Sequence, residues 1–233
     1  DFFAVSKDVV SKMIAGEYTA RQAYRAFNAR LLAEETPDDD EIVLSSGKSY
    51  SNVFHANGGS ASFSVMANTL RGVYGTDVLL ATANSFTGSV LRADYNKKMA
   101  ASMIMPNGLM SRQRTMTGAE LKETVRAFVE GCKGGFVPFN RGSLPVVSGI
   151  AVEVKEASGS YTLTGITRNG QPLKDDDTVT VTCLAVEKQM EALLASESGT
   201  SLDGDTWVKN TWRDYVSGGG AALAEPENYM TLR

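Results

Sequence analysis

Apolar residues recur at helical spacing in several stretches of this chain. Within residues 63–74 they share one face of a helix, and Gly75 stands where a left-handed C-cap is expected. Thr117 and Glu120 form a capping box in front of a second such stretch. A third stretch, residues 206–217, runs up to a set of glycines. The spacing therefore predicts a helix at each of these places.

Shorter apolar or alternating runs predict strands between the helices. Residues 41–46 and 77–83 each have the length and composition of a strand. From 145 to 185 the chain is rich in β-branched residues, and the pair Asn169 and Gly170 predicts a hairpin turn. Helices interspersed with hairpin-connected strands indicate an α+β domain.

The N-terminal part of the chain has a different pattern. Its periodicity is helical, with a break at Gly16 and a capping box that begins at Thr19. The run 36–41 is acidic, contains a proline and otherwise lacks apolar residues, which is typical of a linker. We therefore expect an N-terminal helical segment with its acidic linker over residues 1–41, and one domain over residues 42–233.

The composition fits a globular protein and argues against two kinds of partner. With 233 residues, 42% of them hydrophobic, the chain is long enough to bury a core. The net charge is -4, and Lys and Arg are scattered among Asp and Glu, so there is no basic stripe for a nucleic acid. No run approaches the roughly 18 apolar residues that span a bilayer. We expect neither a nucleic-acid partner nor a membrane span.

Two cysteines, Cys132 and Cys183, lie far apart in the sequence. A single pair does not define a disulfide framework, so their redox state stays open. The chain begins at Asp1 without an initiator methionine or a signal-peptide pattern, and we expect it to be an excised fragment.

Five ordered segments carry a resemblance to a known family. They are ANTLRGVYGTDVLL, the loop at Asn84, MTGAELKETV, LPVVSGIAVEV and RNGQPLKDDDTVTVT. The Thr-Gly-x-x-Leu helix start and the Val-Ser-Gly strand follow one another in the order and at the spacing typical of 5'-nucleotidases. From about residue 60 to its end, the chain resembles the C-terminal domain of that family.

This resemblance implies a fold and a division of labour. The fold is expected to be a mixed sheet with packed helices, following the short N-terminal helical segment. In the family, an N-terminal metallophosphoesterase domain holds two divalent metals that activate a water, and the C-terminal domain binds the base and sugar. The chain would then be a non-catalytic substrate-binding domain, joined to an upstream domain of the same polypeptide and located outside the cytoplasm. Its ligand would be a nucleotide or a nucleoside-like small molecule.

The residue types agree with a non-catalytic role. A two-metal hydrolase needs several histidine and carboxylate ligands, whereas His55 is the only histidine of the chain. The runs 38–41 and 175–177 are acidic, but consecutive residues do not converge on one ion, and solvated loops are the preferred interpretation. We expect no cofactor and no catalytic residue in this chain. We also expect that the chain alone does not hydrolyse AMP.

The three ligand-binding elements of the family are only partly present. In the first loop Asn84 is retained, while the paired glycines and the arginine are not. In the second element Pro106 and Asn107 are retained without the aromatic residue, and the third element, a Gly-Gly-Asp-Gly-Phe loop, is absent. Phe139 and Arg141 belong to a Pro-Phe-Asn-Arg run at a different place in the order. The candidate substrate-binding residues are Asn84, Phe86, Asn107, Phe139, Arg141 and Gly149.

Some of these assignments have alternatives. Phe86 either faces a ligand or packs in the core, and Gly149 either allows a close backbone approach or marks a strand irregularity.

The chain as a whole also has a second interpretation. It would be a scaffold module that keeps the fold, no longer binds nucleotides and follows a different upstream domain. A self-contained enzyme has little support, because neither a nucleophile elbow nor a P-loop pattern is present.

Overall fold

The computed structural model describes residues 10–12, 14–16, 41–105, 109–130, 145–186, 200–218 and 221–233. The chain divides into two units, Asp1–Glu41 and Ile42–Arg233. In the first unit residues 10–12 and 14 are helical, and Gly16 takes a left-handed conformation with φ 75°. The second helix expected in this unit and residues 36–40 of the acidic run lie outside the described residues.

The described part of the second unit is built from short strands and four helices. The strands are β1 (Ile42–Ser46), β2 (Phe54–His55), β3 (Gly59–Ser60), β4 (Val78–Thr82), β5 (Ala93–Asn96), β6 (Leu109–Thr117), β7 (Pro145–Ser148), β8 (Ala151–Ala157), β9 (Ser160–Arg168), β10 (Gln171–Pro172), β11 (Thr178–Val186), β12 (Thr200–Trp207) and β13 (Met230–Leu232). The helices are α1 (Ala61–Tyr74), α2 (Lys97–Ala101), α3 (Gly118–Glu130) and α4 (Val208–Ser217), and a 3₁₀ turn covers Ala83–Ser85.

Two mixed sheets form the framework of this unit. The larger sheet has the order β12-β6-β11-β4-β7, in which β11 and β4 are parallel and the other neighbours are antiparallel. The smaller sheet has the order β10-β9-β8-β13, in which only β8 and β13 are parallel. The pairs β1–β5 and β2–β3 are separate. The expected α+β fold, a mixed sheet with packed helices, is confirmed.

α1 has the limits that its sequence signals predict. The side chain of Ser60 accepts a hydrogen bond from the Phe63 amide at 3.3 Å and caps the start of the helix. Gly75 ends it with φ 66°, the left-handed conformation that glycine adopts at low cost. The helix packs against β4 and β7, and its apolar face fills the space above the larger sheet.

α3 begins at the predicted capping box. The Thr117 hydroxyl accepts from the Glu120 amide at 3.3 Å, while the Glu120 carboxylate accepts from the Thr117 amide at 2.7 Å. Gly118 follows, and its own amide donates to the Asp177 carbonyl at 2.7 Å. The helix packs against β9, so it covers the smaller sheet.

The segment between α4 and β13 ties the two sheets together. It runs along α1, where the Ser64 hydroxyl donates to the Glu227 carbonyl at 2.9 Å and the Asn68 amide donates to the Glu225 carbonyl at 2.8 Å. β13 then joins β8.

In the core, Cys183 is a free and fully buried thiol, and burial raises its pKa to about 12. Cys132 lies outside the described residues.

Candidate functional site

The carboxyl ends of two neighbouring strands meet at one edge of the larger sheet. β4 and β11 are parallel, so both end at this edge. β6 and β7 run the other way and begin there, because Leu109 pairs with Val186 and Pro145 pairs with Thr82. We term this edge, formed by residues 82–88, Leu109, Pro145 and Val186, the carboxyl edge. In open α/β sheets, ligands bind in the crevice outside the carboxyl ends of the strands.

The turn after β4 places Asn84 at this edge with an exposed side chain. Backbone hydrogen bonds tie the turn to a neighbouring segment. The Thr87 amide donates to the Met103 carbonyl at 3.1 Å, and the Met105 amide donates to the Ser85 carbonyl at 3.0 Å. The Asn84 turn and the segment that leads to the predicted Pro-Asn element therefore lie side by side.

Three other predicted residues, Asn107, Phe139 and Arg141, lie outside the described residues, and their roles stay predictions. Their described neighbours show where their segments join the fold. Met105 and Leu109 flank residues 106–108, and Pro145 follows residues 131–144. All three of these neighbours belong to or adjoin the carboxyl edge.

Phe86 has a core environment. Its side chain is 4% exposed, and its ring lies 6.0 Å from the ring of Phe63 on α1. A ring that stacks on a base has to offer one of its faces. This ring is covered, which favours the packing interpretation, and a ligand contact by Phe86 stays a prediction.

Ser85 was not singled out from the sequence, where nothing distinguishes it from other loop serines. Its hydroxyl is buried and has no hydrogen-bond partner among the described residues. An unpaired buried hydroxyl costs free energy unless a water or a ligand atom satisfies it. Ser85 is therefore the most chemically distinctive group at the described part of the carboxyl edge.

Gly149 lies at the opposite edge of the larger sheet, which we term the amino edge. It follows Ser148, which pairs with Leu79 near the start of β4. Its φ is 81°, and a Cβ at this position would collide with the carbonyl oxygen of Asp77. The close backbone approach considered for Gly149 is present, but it is an approach to the protein's own chain. The structure does not bring Gly149 together with Asn84.

Asp77 organises the amino edge. One carboxylate oxygen accepts from the Arg168 guanidinium at 2.5 Å, and the other accepts from both the amide and the hydroxyl of Thr180 at 2.9 Å. Burial alone would raise the pKa of Asp77. The hydrogen bonds from Thr180 and the charges of Arg168 and Arg71 outweigh burial, so the pKa of Asp77 lies below its ordinary value.

This lowered pKa predicts a pH-dependent contribution to stability. An acid whose pKa is depressed by folding stabilises the folded state above its unfolded pKa, and that contribution is lost as the pH falls through the folded value. We expect Asp77→Asn to lower the free energy of unfolding by about 2 kcal/mol at neutral pH, because it weakens hydrogen bonds to a charged group. The difference between wild type and variant should shrink below about pH 4. Urea denaturation at a series of pH values measures it.

Asp94→Asn is the matched control, because Asp94 is an exposed carboxylate that accepts a hydrogen bond from Ser45 at 2.6 Å. We expect this variant to change the free energy of unfolding by less than about 0.5 kcal/mol. Equal losses in the two variants at neutral pH, or an Asp77→Asn effect that persists at pH 2, would contradict the role given to Asp77.

Solved structures of other proteins match most of this chain in fold. A 5'-nucleotidase precursor from Thermus thermophilus matches 91% of this chain with a TM-score of 0.65 and 14% identity. The NAD nucleotidase of Haemophilus influenzae matches 93% with a TM-score of 0.57 and 15% identity. A sulfate thiohydrolase from Thermus thermophilus matches 89% with a TM-score of 0.65 and 13% identity.

The fold is that of the C-terminal domain of 5'-nucleotidases. Identities this low show the fold alone and mark the chain as a divergent example of it. The chain spans 43%, 42% and 38% of the three matched chains, or about two fifths of each. No protein-family model and no curated protein matches the sequence.

The two divalent metals of 5'-nucleotidases do not fit the described residues of this C-terminal fold. No group of three or more His, Cys, Asp and Glu side chains converges among the described residues. In the acidic run 175–177, Asp175 lies 2.7 Å from the ammonium of Lys122, and Asp177 accepts from the Lys174 amide at 2.9 Å. His55 is exposed in the short strand β2.

No helix among the described residues of the 5'-nucleotidase C-terminal fold is both long enough and apolar enough to cross a membrane.

Sequence reasoning also missed three residues of the amino edge: Arg71, Asp77 and Arg168. All three belong to segments that carry the family resemblance, ANTLRGVYGTDVLL and RNGQPLKDDDTVTVT. The sequence does not show that these three residues lie close together, because the two segments are far apart along the chain.

Proposed function

We propose that this chain is the non-catalytic substrate-binding domain of a 5'-nucleotidase-like phosphoester hydrolase. The observation that carries the proposal is the meeting of several chain segments at the carboxyl edge of a 5'-nucleotidase C-terminal fold. The Asn84 turn, residues 103–105, the starts of β6 and β7 and the end of β11 all reach this edge. In open α/β sheets, ligands bind outside the carboxyl ends of parallel strands, and β4 and β11 are such a parallel pair.

In this proposal the two halves of the chemistry lie on different domains. An upstream domain of the same polypeptide holds two divalent metals, which activate a water for attack on phosphorus. This chain binds the rest of the substrate, with the exposed amide of Asn84 as a polar group of the site. We place the protein outside the cytoplasm, as the family resemblance implies.

The substrate is proposed to be a nucleotide-like small molecule other than an ordinary nucleoside monophosphate. The first loop lacks the paired glycines and the arginine of the family. The ring of Phe86, two residues after Asn84, is 4% exposed and lies 6.0 Å from the ring of Phe63. A ligand held without a base-stacking platform needs hydrogen bonds to polar groups instead.

The proposal is tested in the longer protein that contains this chain. We expect metal-dependent hydrolysis of a phosphoester by the longer protein, and none by the chain alone. We expect Asn84→Ala to lower kcat/KM about tenfold, because it removes one substrate hydrogen bond. Asn57→Ala, in the turn between β2 and β3, removes another exposed amide and should leave kcat/KM unchanged.

Two outcomes would contradict this function. One is that the longer protein has no metal-dependent phosphoesterase activity. The other is that Asn84→Ala and Asn57→Ala behave alike. The second candidate function, a scaffold module that no longer binds nucleotides, is favoured by the covered ring of Phe86. It predicts the first of these outcomes, together with the absence of any nucleotide-induced shift in the amide spectrum of the chain.

A further inference from the structure

A polar cleft lies at the amino edge, away from the proposed substrate site. It has a volume of about 350 Å³ and lies between the end of β7, the end of β9 and the segment before β13. We term it the arginine cleft, and its chemically distinctive lining residues are Arg71, Asp77, Gly149, Arg168, Glu227 and Asn228. Its size is at the lower end of the range for small-molecule sites, about 300–1,000 Å³.

The two arginines of the cleft have unused hydrogen-bond donors. Arg71 donates from Nε to the Ser148 hydroxyl at 2.8 Å and from Nη1 to the Asp77 carbonyl at 3.5 Å. Arg168 donates from Nη2 to the Asp77 carboxylate. Nη2 of Arg71, and Nε and Nη1 of Arg168, have no acceptor among the residues that the structure describes. A guanidinium carries five N–H groups, so both arginines can still bind an acceptor in the cleft.

Neighbouring side chains hold Arg71 in place before any ligand arrives. The Ser148 hydroxyl that accepts from Arg71 donates in turn to Asn68 at 2.5 Å, and Asn68 donates to the Glu225 carbonyl at 2.8 Å. Groups that are already ordered lose little entropy on binding, which favours affinity.

Arg168 is held in a similar way, through Asp77, whose second carboxylate oxygen is bonded to Thr180. Gly149 adds no side chain to the cleft, and its backbone packs on the Asp77 carbonyl. The charged groups of the cleft therefore have a fixed geometry.

We propose that the arginine cleft binds the carboxylate group of a small organic acid. The guanidinium fork is planar and matches a carboxylate with two parallel hydrogen bonds. Asp77 and Glu227, whose side chain is exposed, offset the charges of Arg71 and Arg168, so the cleft has no excess positive charge. A phosphate group, with a charge of about -1.5 to -2 at neutral pH, would concentrate more uncompensated negative charge at one point than a carboxylate does.

A second concavity gives room for the rest of such an acid. It shares Arg168 and Asn169 with the arginine cleft and is also lined by Gln171, Pro172, Lys174 and Asp177. The Asp177 carboxylate accepts from the Lys174 amide at 2.9 Å, whereas the Lys174 ammonium has no partner among the described residues and can attract a second carboxylate. A dicarboxylate should therefore bind more tightly than a monocarboxylate.

The test is a titration of the chain with succinate, acetate and inorganic phosphate at constant ionic strength, followed by amide NMR. We expect saturable shifts at Gly149, Asn169 and Gly170 with succinate, weaker binding of acetate and the weakest binding of phosphate. Arg168→Gln should weaken succinate binding about tenfold or more, because it removes charge-assisted hydrogen bonds. Arg213→Gln is the matched control, since Arg213 is an exposed arginine on α4. This variant should bind succinate with the affinity of the wild type.

Glu227→Gln keeps the test decisive if Arg168→Gln does not fold. The Glu227 side chain is exposed and has no hydrogen-bond partner among the described residues, so this variant should fold normally. It removes a like charge from the cleft and should strengthen succinate binding about threefold. Tighter binding of phosphate than of succinate would overturn the carboxylate assignment. The site itself would be overturned if succinate shifted amide signals outside the cleft. It would also be overturned if the succinate-induced shifts were equal in Arg168→Gln and Arg213→Gln.

Discussion

Trp212→Ala is expected to lower the free energy of unfolding by about 3–5 kcal/mol. Trp212 lies on α4 with a fully buried side chain, and its indole N–H donates to the Ala100 carbonyl of α2 at 2.8 Å. Removing the ring leaves a cavity between these helices and the core, and the buried carbonyl of Ala100 loses its partner. Urea denaturation gives the change from the midpoint, provided that the slope is unchanged.

The second tryptophan supplies the control for this experiment. Trp207 ends β12 and is 49% exposed. We expect Trp207→Ala to change the free energy of unfolding by about 1 kcal/mol or less, because little buried surface is lost. A loss below 1 kcal/mol for Trp212→Ala, or equal losses at the two positions, would show that α4 does not pack as described.

Gly149→Ala is expected to lower the free energy of unfolding by about 2–5 kcal/mol. The left-handed conformation at φ 81° costs an alanine about 1–2 kcal/mol, and the added methyl group would overlap the Asp77 carbonyl oxygen. β7 and the start of β4 must then move apart. The same variant should weaken succinate binding in the arginine cleft, because Asp77 positions Arg168.

Gly170→Ala separates the two causes of the Gly149 effect. Gly170 has nearly the same backbone conformation, φ 74°, but a Cβ there would meet no atom within 4 Å. We expect it to show only the conformational cost of about 1–2 kcal/mol. If both variants lose the same free energy, the close approach between Gly149 and Asp77 contributes nothing to stability.

Much of the secondary structure could be predicted because its causes are local. α1 and α3 are set by apolar spacing and by end signals, such as Gly75 and the Thr117–Glu120 capping box, that act over one or two turns. The hairpin turn at Asn169 and Gly170 also has a local cause, since both residues take the positive φ that this pair favours.

The predicted site was only partly accessible from the sequence. Asn84 lies at the carboxyl edge, whereas Gly149 lies at the amino edge, so these two candidate residues are not brought together. The direction of β7 decides this: it is antiparallel to β4, so the end of β7 lies beside the start of β4. Strand direction in a sheet depends on long-range pairing, which no local pattern reveals.

The sequence by itself determined the class of fold, its main helices and strands, and the family that it resembles. Only the tertiary structure decided which side chains share a site. Arg71 lies in the last turn of α1 and Arg168 is the last residue of β9 in the smaller sheet, yet both contact Asp77. Local signals act over a few residues, whereas the arginine cleft depends on the packing of two sheets and on the C-terminal segment that joins them.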